Sequence, residues 1–226
     1  GQPDPNFQIA FTSGSVRTII ADAVAGIYIG GNFLNAGGDA ARDYLARVND
    51  NGSSVATVDA SFAPTVNNST VLALAVESSS LYAGGTFTSA GSPASTRNFL
   101  AKFNRTTGVL DAAWNPNPNG LVRALEFMGT SLVVGGDFAT VDGLPRARLA
   151  RIDLTTGNVS ATWVTPNVSG SFVIALDVAP NSVVAVGNFN DVGASDRVSL
   201  AEFSATDATL QPAFDAAASL PGGPLA

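Results

Sequence analysis

Apolar and polar positions alternate along this chain in short runs, and the runs come in fours. In 121–165 they fall at about 122–128, 131–138, 147–153 and 159–165. Each is too short for a helix and has the two-residue period of a strand. The joining segments carry Gly, Asn, Asp and Thr, as in Asn49–Gly52 and Thr155–Gly157, residues that favour tight turns. The pattern predicts four strands, a to d, joined in a meander. In strand b of another group, Leu81, Ala83, Gly85 and Phe87 point to one side and Tyr82, Gly84 and Thr86 to the other. Both sides are apolar or small, as required of a sheet stacked between two neighbours.

The group recurs. Strand b ends on Gly-Gly-x-Phe at Phe33, Phe87 and Phe138, and on Val-Gly-Asn-Phe at Phe189, spacings of 54, 51 and 51 residues. Leu-Ala follows at Leu45, Leu100, Leu149 and Leu200, with Arg42, Arg97, Arg146 and Arg197 three residues before each. Further on stands an aromatic: Phe62, Trp114, Trp163 and Phe214, with an early copy at Phe7. A Val-x-x-Leu/Ile pair opens strand a at Val16, Val71, Val122 and Val173. Several markers in register through four units predict an all-β chain, a β-propeller of four four-stranded repeats of about 51 residues. The repeats span about 4–57, 58–109, 110–159 and 160–210, with a partial fifth at 211–220. Together, 1–220 form the repeat domain and 221–226 a linker-like tail. An extra d-like strand near residues 4–11 leaves two arrangements open, a closed small propeller or an arc of a larger one. The second would be cut from a longer protein or completed by another chain, a homo-oligomer included. The start, Gly-Gln-Pro-Asp, reads as a trimmed or mature N-terminus.

The second glycine (Gly31, Gly85, Gly136, Gly187) is kept in every unit, while the first becomes Val186 in the fourth. The expectation is that the second glycine lies on the face where the next blade's aromatic or backbone comes close. Thr18, Ala73, Ala124 and Ala175 are expected to share one face of strand a, crowded near the axis.

Composition narrows the chemistry. The chain of 226 residues is 46% hydrophobic and 13% charged, which argues against disorder. Eleven scattered basic residues and a net charge of −7 speak against nucleic-acid binding, which needs clustered cations. No apolar run reaches about 18 residues, so no membrane insertion is expected. There is no Cys and no His, which removes thiol nucleophiles, thiolate metal sites, the usual general base and the commonest metal ligand. No cofactor is expected.

The stretch from Leu81 to Pro116, with its Gly-Gly-x-Phe, Arg before Leu-Ala, turn, Leu-Asp and late Trp, resembles the delta-60 repeat of bacterial secreted and cell-surface proteins. It resembles the kelch repeat less closely, which shares the double glycine and late Trp. The delta-60 resemblance extends from about Asp4 to Phe214 and weakens in the fourth unit. It implies a propeller fold and an extracellular or cell-surface location, and it carries no catalytic residues to transfer.

Strand alternation puts the b–c and d–a loops on one rim. The b–c loops are the longer, so a ligand is expected there. Asp39, Asp142, Asp191 and Asp196 on that rim are calcium candidates, although their spacing fits no EF-hand and turn formation or arginine pairing explains them more simply. The four arginines could form an anion site. A residue needed once per blade is better read as tying its blade to a neighbour through carbonyls or a carboxylate. The expected function is non-enzymatic binding of a protein or glycan at a cell surface. The alternatives are a polysaccharide-acting enzyme on the same scaffold and a purely structural, self-assembling segment.

Overall fold

A computed structural model describes residues 8–23, 26–49, 56–67 and 69–212. They are all-β, with one short 3-10 turn at Ala36–Gly38, and none of their segments is a helix long and apolar enough to cross a membrane. Phe7, Phe214 and the d-like strand before residue 8 lie outside the described residues.

The sheets follow the repeat. Blade one consists of β1 (Val16–Asp22), β2 (Gly26–Gly31), β3 (Leu45–Asn49) and β4 (Thr57–Val58) in that spatial order. Blade two holds β5 (Val71–Glu77), β6 (Ser80–Gly85), the small hairpin β7 (Ser89–Ala90) and β8 (Ser95–Thr96), and β9 (Leu100–Asn104). Blade three holds β10 (Val122–Met128), β11 (Ser131–Gly136), the hairpin β12 (Thr140–Val141) and β13 (Leu144–Pro145), and β14 (Leu149–Asp153). Blade four holds β15 (Val168–Ala179), β16 (Ser182–Val192), β17 (Ser195–Asp196) and β18 (Leu200–Ser204). All neighbouring strands are antiparallel. The chain divides into two compact units, Gly1–Asn115 with blades one and two and Pro116–Ala226 with blades three and four.

Strands a, b and c form where the alternation places them. The expected d strand at 159–165 does not: it shrinks to a single bridge, Ile152 to Val159, as do Phe103 to Leu110 and Phe203 to Leu210. Side chains take over the backbone there. Asp111 accepts the N–H groups of Ala113 and Trp114 (3.1 and 3.3 Å), and the Ser160 hydroxyl accepts that of Trp163 (3.0 Å). These local turns pull the chain off the ladder and drive the aromatic inward.

Within each unit, the inner face of the later blade packs on the outer face of the earlier. In the first unit Tyr28, Leu45 and Phe62 meet Val71, Leu74, Leu81, Ala83 and Phe87. In the second, Met128, Val133, Leu149 and Trp163 meet Val173, Val183, Ala185 and Phe189. Phe62, Trp114 and Trp163 are buried, and Trp163 Nε1 donates to the Ser204 carbonyl of blade four at 3.0 Å.

The glycine pair does the opposite of what its sequence pattern implies. A Cβ on the second glycine would strike backbone of its own blade: the carbonyl oxygen of Ser15, Thr70, Leu121 or Phe172, well inside contact distance. Strand a bulges directly after that residue, at Val16/Thr18, Val71/Ala73, Val122/Ala124 and Val173/Ala175. The bulge presses the carbonyl against the glycine, where it accepts the next residue's N–H, as Leu121 does from Asp137 (2.9 Å). The first glycine faces the neighbouring blade. A Cβ on Gly30 would lie 2.6 Å from Val71 Cγ1, and one on Gly135 2.6 Å from Val173 Cγ1. Thr18, of the row Thr18, Ala73, Ala124 and Ala175, flanks this socket in blade one, its Cγ2 2.8 Å from where a Gly30 Cβ would lie.

Candidate functional site

The long-loop rim rests on a repeated scaffold of strained residues. The residue before each Leu-Ala has a left-handed backbone: Tyr44, Phe99, Arg148 and Ser199 at φ 66, 62, 67 and 65°. No glycine marks these positions. The conformation lets one residue bond twice: Tyr44 donates its N–H to Phe33 (3.0 Å) and its carbonyl accepts from Gly31 (2.9 Å), and the other three repeat this with their own Phe and Gly. The cost, of order 1–3 kcal/mol in such regions, is offset by bonds that fix where each b–c loop returns to its sheet.

The repeated arginines are buried beneath these loops. Arg42 donates to the carbonyls of Ala41 (3.3 Å) and Ala60 (2.7 Å). Arg97 donates to Thr96 (2.7 Å) and Ala112 (2.6 Å), Arg146 to Pro145 (2.6 Å) and Ser160 (2.5 Å), and Arg197 to Asp196 (2.7 Å) and Pro212 (3.4 Å). Each guanidinium thus ties its b–c loop to the turn after strand c. In blade one that turn follows β4, so the tie lies within a blade and not between blades as the sequence suggests. Burial lowers the pKa values of Arg97 and Arg146. With their forks on backbone carbonyls and their heads out of solvent, they do not present an anion site.

The rim aspartates are spread over separate local jobs. Asp39 accepts the Ala41 N–H (2.9 Å) and lies 3.8 Å from Arg42. Asp142 turns the β12–β13 hairpin with φ 50°. Asp191 accepts the Ser169 hydroxyl (2.8 Å), and its ladder partner is Asp196. Among the described residues, no three Asp, Glu, His or Cys side chains converge where an ion could sit.

What the sequence did not single out is a depression of about 250 Å³ on this rim of the first unit. One wall is Ala41, Asp43 and Tyr44 from the b–c loop of blade one; the other is Thr65, Val66 and Asn67, leading into β5. Both walls are held. Asp43 accepts the Asn35 N–H (2.8 Å). Asn67 donates its backbone N–H to the Ser89 carbonyl (3.2 Å) and its side-chain amide to the Ser89 hydroxyl (3.1 Å). Val66 bridges Ala90. A carboxylate, an amide and a tyrosine therefore line a hollow whose walls cannot easily collapse. The only local sign was the Asp-Tyr step before Leu45, where the other blades carry Asn-Phe, Ala-Arg and Val-Ser. A second hollow of about 310 Å³, between Pro93 and Ser95 of the β7–β8 segment and Val109–Leu110, is more apolar.

Residues 131–159 match a family described as a domain of unknown function (DUF5122) beta-propeller. Those residues are β11 to β14 and the Val159 bridge, the segment that recurs in every blade. No curated protein matches the chain. Solved structures similar to it include the computationally designed Ika4 protein, at 16% identity over 64% of this chain and 91% of that one, with TM-score 0.39. Others are the Neurospora crassa Pan2 WD40 domain (12% identity, 92% and 67% covered, TM-score 0.44) and the WD40 beta propeller domain of Doa1 (12%, 90% and 85%, TM-score 0.38). With the family match falling on the repeated b–c segment and that segment present in four sheets, the chain is built from β-propeller repeats.

Proposed function

We propose that this chain is a non-enzymatic binding module that engages a protein or glycan through its long-loop rim, in a secreted or cell-surface protein. The observation that carries the reading is the rim hollow bounded by Asp43, Tyr44 and Asn67. It combines hydrogen-bonding groups with an aromatic side chain on walls fixed by backbone bonds, the makings of a preformed site. The rest of the rim supports binding over catalysis: its repeated arginines, Asp39 and Asp191 are committed to loop geometry, and the chain has no histidine or cysteine. The extracellular assignment rests on the delta-60 resemblance.

A glycan array followed by titration calorimetry tests this. A ligand should bind the parent chain and lose at least about tenfold in affinity when Asp43→Ala removes a wall carboxylate. Binding untouched by both Asp43→Ala and Asn67→Ala would place the site elsewhere, and turnover of a bound polysaccharide would overturn the non-enzymatic reading.

A further inference from the structure

The third residue of strand c is a cation with its own carboxylate in blades one and two, and a cation without one in blade three. In blade one Arg47 Nε and Nη2 donate to Asp59 Oδ2 at 2.9 and 2.5 Å. In blade two Lys102 Nζ lies 3.2 Å from Asp111 Oδ2. The other oxygen of each carboxylate has a separate task. Asp59 Oδ1 accepts the Ser61 N–H and hydroxyl (2.8 and 2.7 Å), and Asp111 Oδ1 accepts the N–H groups of Ala113 and Trp114. One oxygen shapes the turn after strand c, and the other pairs with the cation.

In blade three the cation is Arg151, and Ser160 stands in place of the aspartate. A serine has a single side-chain oxygen, and this one is used in the turn, accepting the Trp163 N–H at 3.0 Å. Arg151 Nε donates to the Ser131 hydroxyl at 3.0 Å, and among the described residues its two terminal amino groups have no protein partner. Arg151 borders a hollow of about 370 Å³, lined also by Thr130, Asn158, Ser160 and Thr162. The hollow lies at the end of the blade away from its b–c loop, and all its walls belong to one compact unit. Thr162 takes the place of Ser61, whose hydroxyl donates to the blade-one carboxylate. The donors that hold Asp59 are therefore kept in blade three, and the group they hold is gone. Asp153 borders the hollow too, but its Oδ1 accepts the N–H groups of Thr155 and Thr156, as Asn104 accepts those of Thr106 and Thr107 in blade two.

We propose that this hollow binds an acidic sugar, a uronate, whose carboxylate takes the place of the missing aspartate oxygen on Arg151. The planar guanidinium fork matches a carboxylate. The remaining walls favour a hydroxylated ligand. Among the described residues on them only Val159 is apolar, and the Ser, Thr and Asn side chains both donate and accept, as ring hydroxyls do. An acidic peptide side chain would bring its carboxylate on a methylene stem and leave those groups without partners. The site is separate from the hollow at Asp43, so either can fail without the other.

NMR titration of the 226-residue chain with sodium glucuronate, at matched sodium chloride, tests this. The amide signals of Ser131 and Thr162 should shift, with Kd on the order of 1 mM, the strength of one charge-assisted fork and a few neutral bonds. Glucose brings the hydroxyls without the charge and acetate the charge without the hydroxyls; each should bind at least about tenfold more weakly. Arg151→Gln should lose at least about tenfold in glucuronate affinity. Ser160→Asp puts back the residue type found in blades one and two, so it should raise the melting temperature and shut glucuronate out. An absence of shifts at about 10 mM glucuronate overturns the proposal. So does acetate binding as tightly as glucuronate, or glucuronate binding that survives either substitution in a folded chain.

Discussion

Adding one methyl group at each member of a glycine pair separates two kinds of crowding. In Gly135→Ala the new Cβ lies 2.6 Å from Val173 Cγ1, a side-chain atom of the next blade. In Gly136→Ala it lands on the Leu121 carbonyl oxygen, held by the strand bulge and by its bond from Asp137 N–H. Overpacking costs about 1–3 kcal/mol, and both variants should fall in or above that range. Their remedies differ. Truncating the obstacle with Val173→Ala opens a space that the methyl added by Gly135→Ala can fill. The double variant Gly135→Ala/Val173→Ala should therefore be little worse than Val173→Ala alone, a favourable coupling of about 1–2 kcal/mol. No side-chain change relieves a collision with a carbonyl, so Gly136→Ala and Val173→Ala should add within about 0.5 kcal/mol. Urea unfolding followed by tryptophan fluorescence measures the parent and every variant of both cycles. Equal coupling in both cycles, or an unchanged midpoint for Gly136→Ala, would refute the distinction between backbone and neighbour contact.

Three other outcomes are expected. Arg146→Ala removes the charge-assisted bonds to the Pro145 and Ser160 carbonyls and should cost about 1.5–3 kcal/mol in the same assay; Arg146→Lys should not restore it, because one ammonium cannot span the fork. Asp59 is depressed well below the usual carboxylate range: burial works against its charge, but bonds from Ser61 and Arg47 prevail. A carboxylate depressed by folding stabilises above its unfolded pKa of about 3.9 and loses that contribution as pH falls toward the folded value, so stability should drop below about pH 4 and Asp59→Asn should flatten part of that acid limb. Trp163→Phe keeps the buried ring but loses the Nε1 bond to Ser204, and thermal unfolding should show a loss of about 1–2 kcal/mol.

The legible part of this fold is the part set by side-chain periodicity. Strand a at 122–128 appears with those bounds, because alternation decides which residues are buried and the sheet has no other register that buries them. Strand d departs from the pattern where local polar bonding outcompetes the ladder: Asp111 and Ser160 capture N–H groups that a strand would have offered to β9 or β14. The β12–β13 hairpin is marked by its Asp142-Gly143 turn, both residues at positive φ, whereas the left-handed residues at Tyr44 and Arg148 leave no mark in the sequence. The conformations of Tyr44 and Arg148 are imposed by bonds to Phe33 and Phe138 on the other side of the b–c loop, not by a glycine or proline in place. The rim hollow is hidden for a similar reason. Its walls come from residues 41–44 and 65–67, which share no motif and meet only because two blades stack.

The glycine pair shows why retention across repeats ranks constraints without locating them. The second glycine is present four times out of four, and its obstacle, a carbonyl across its own bulge, belongs to every blade whatever its neighbours. The first is present three times, and its obstacle at Gly30 and Gly135 belongs to the following blade. A valine can stand at that place only where no incoming valine must fit, and blade four, with Val186 exposed, is such a place. The departure from the repeat therefore marks a change in what lies across the interface rather than a weakening of the blade itself. Glu202, at the position of Arg47, Lys102 and Arg151, changes in the same blade, so the fourth unit departs from the repeat at two positions together.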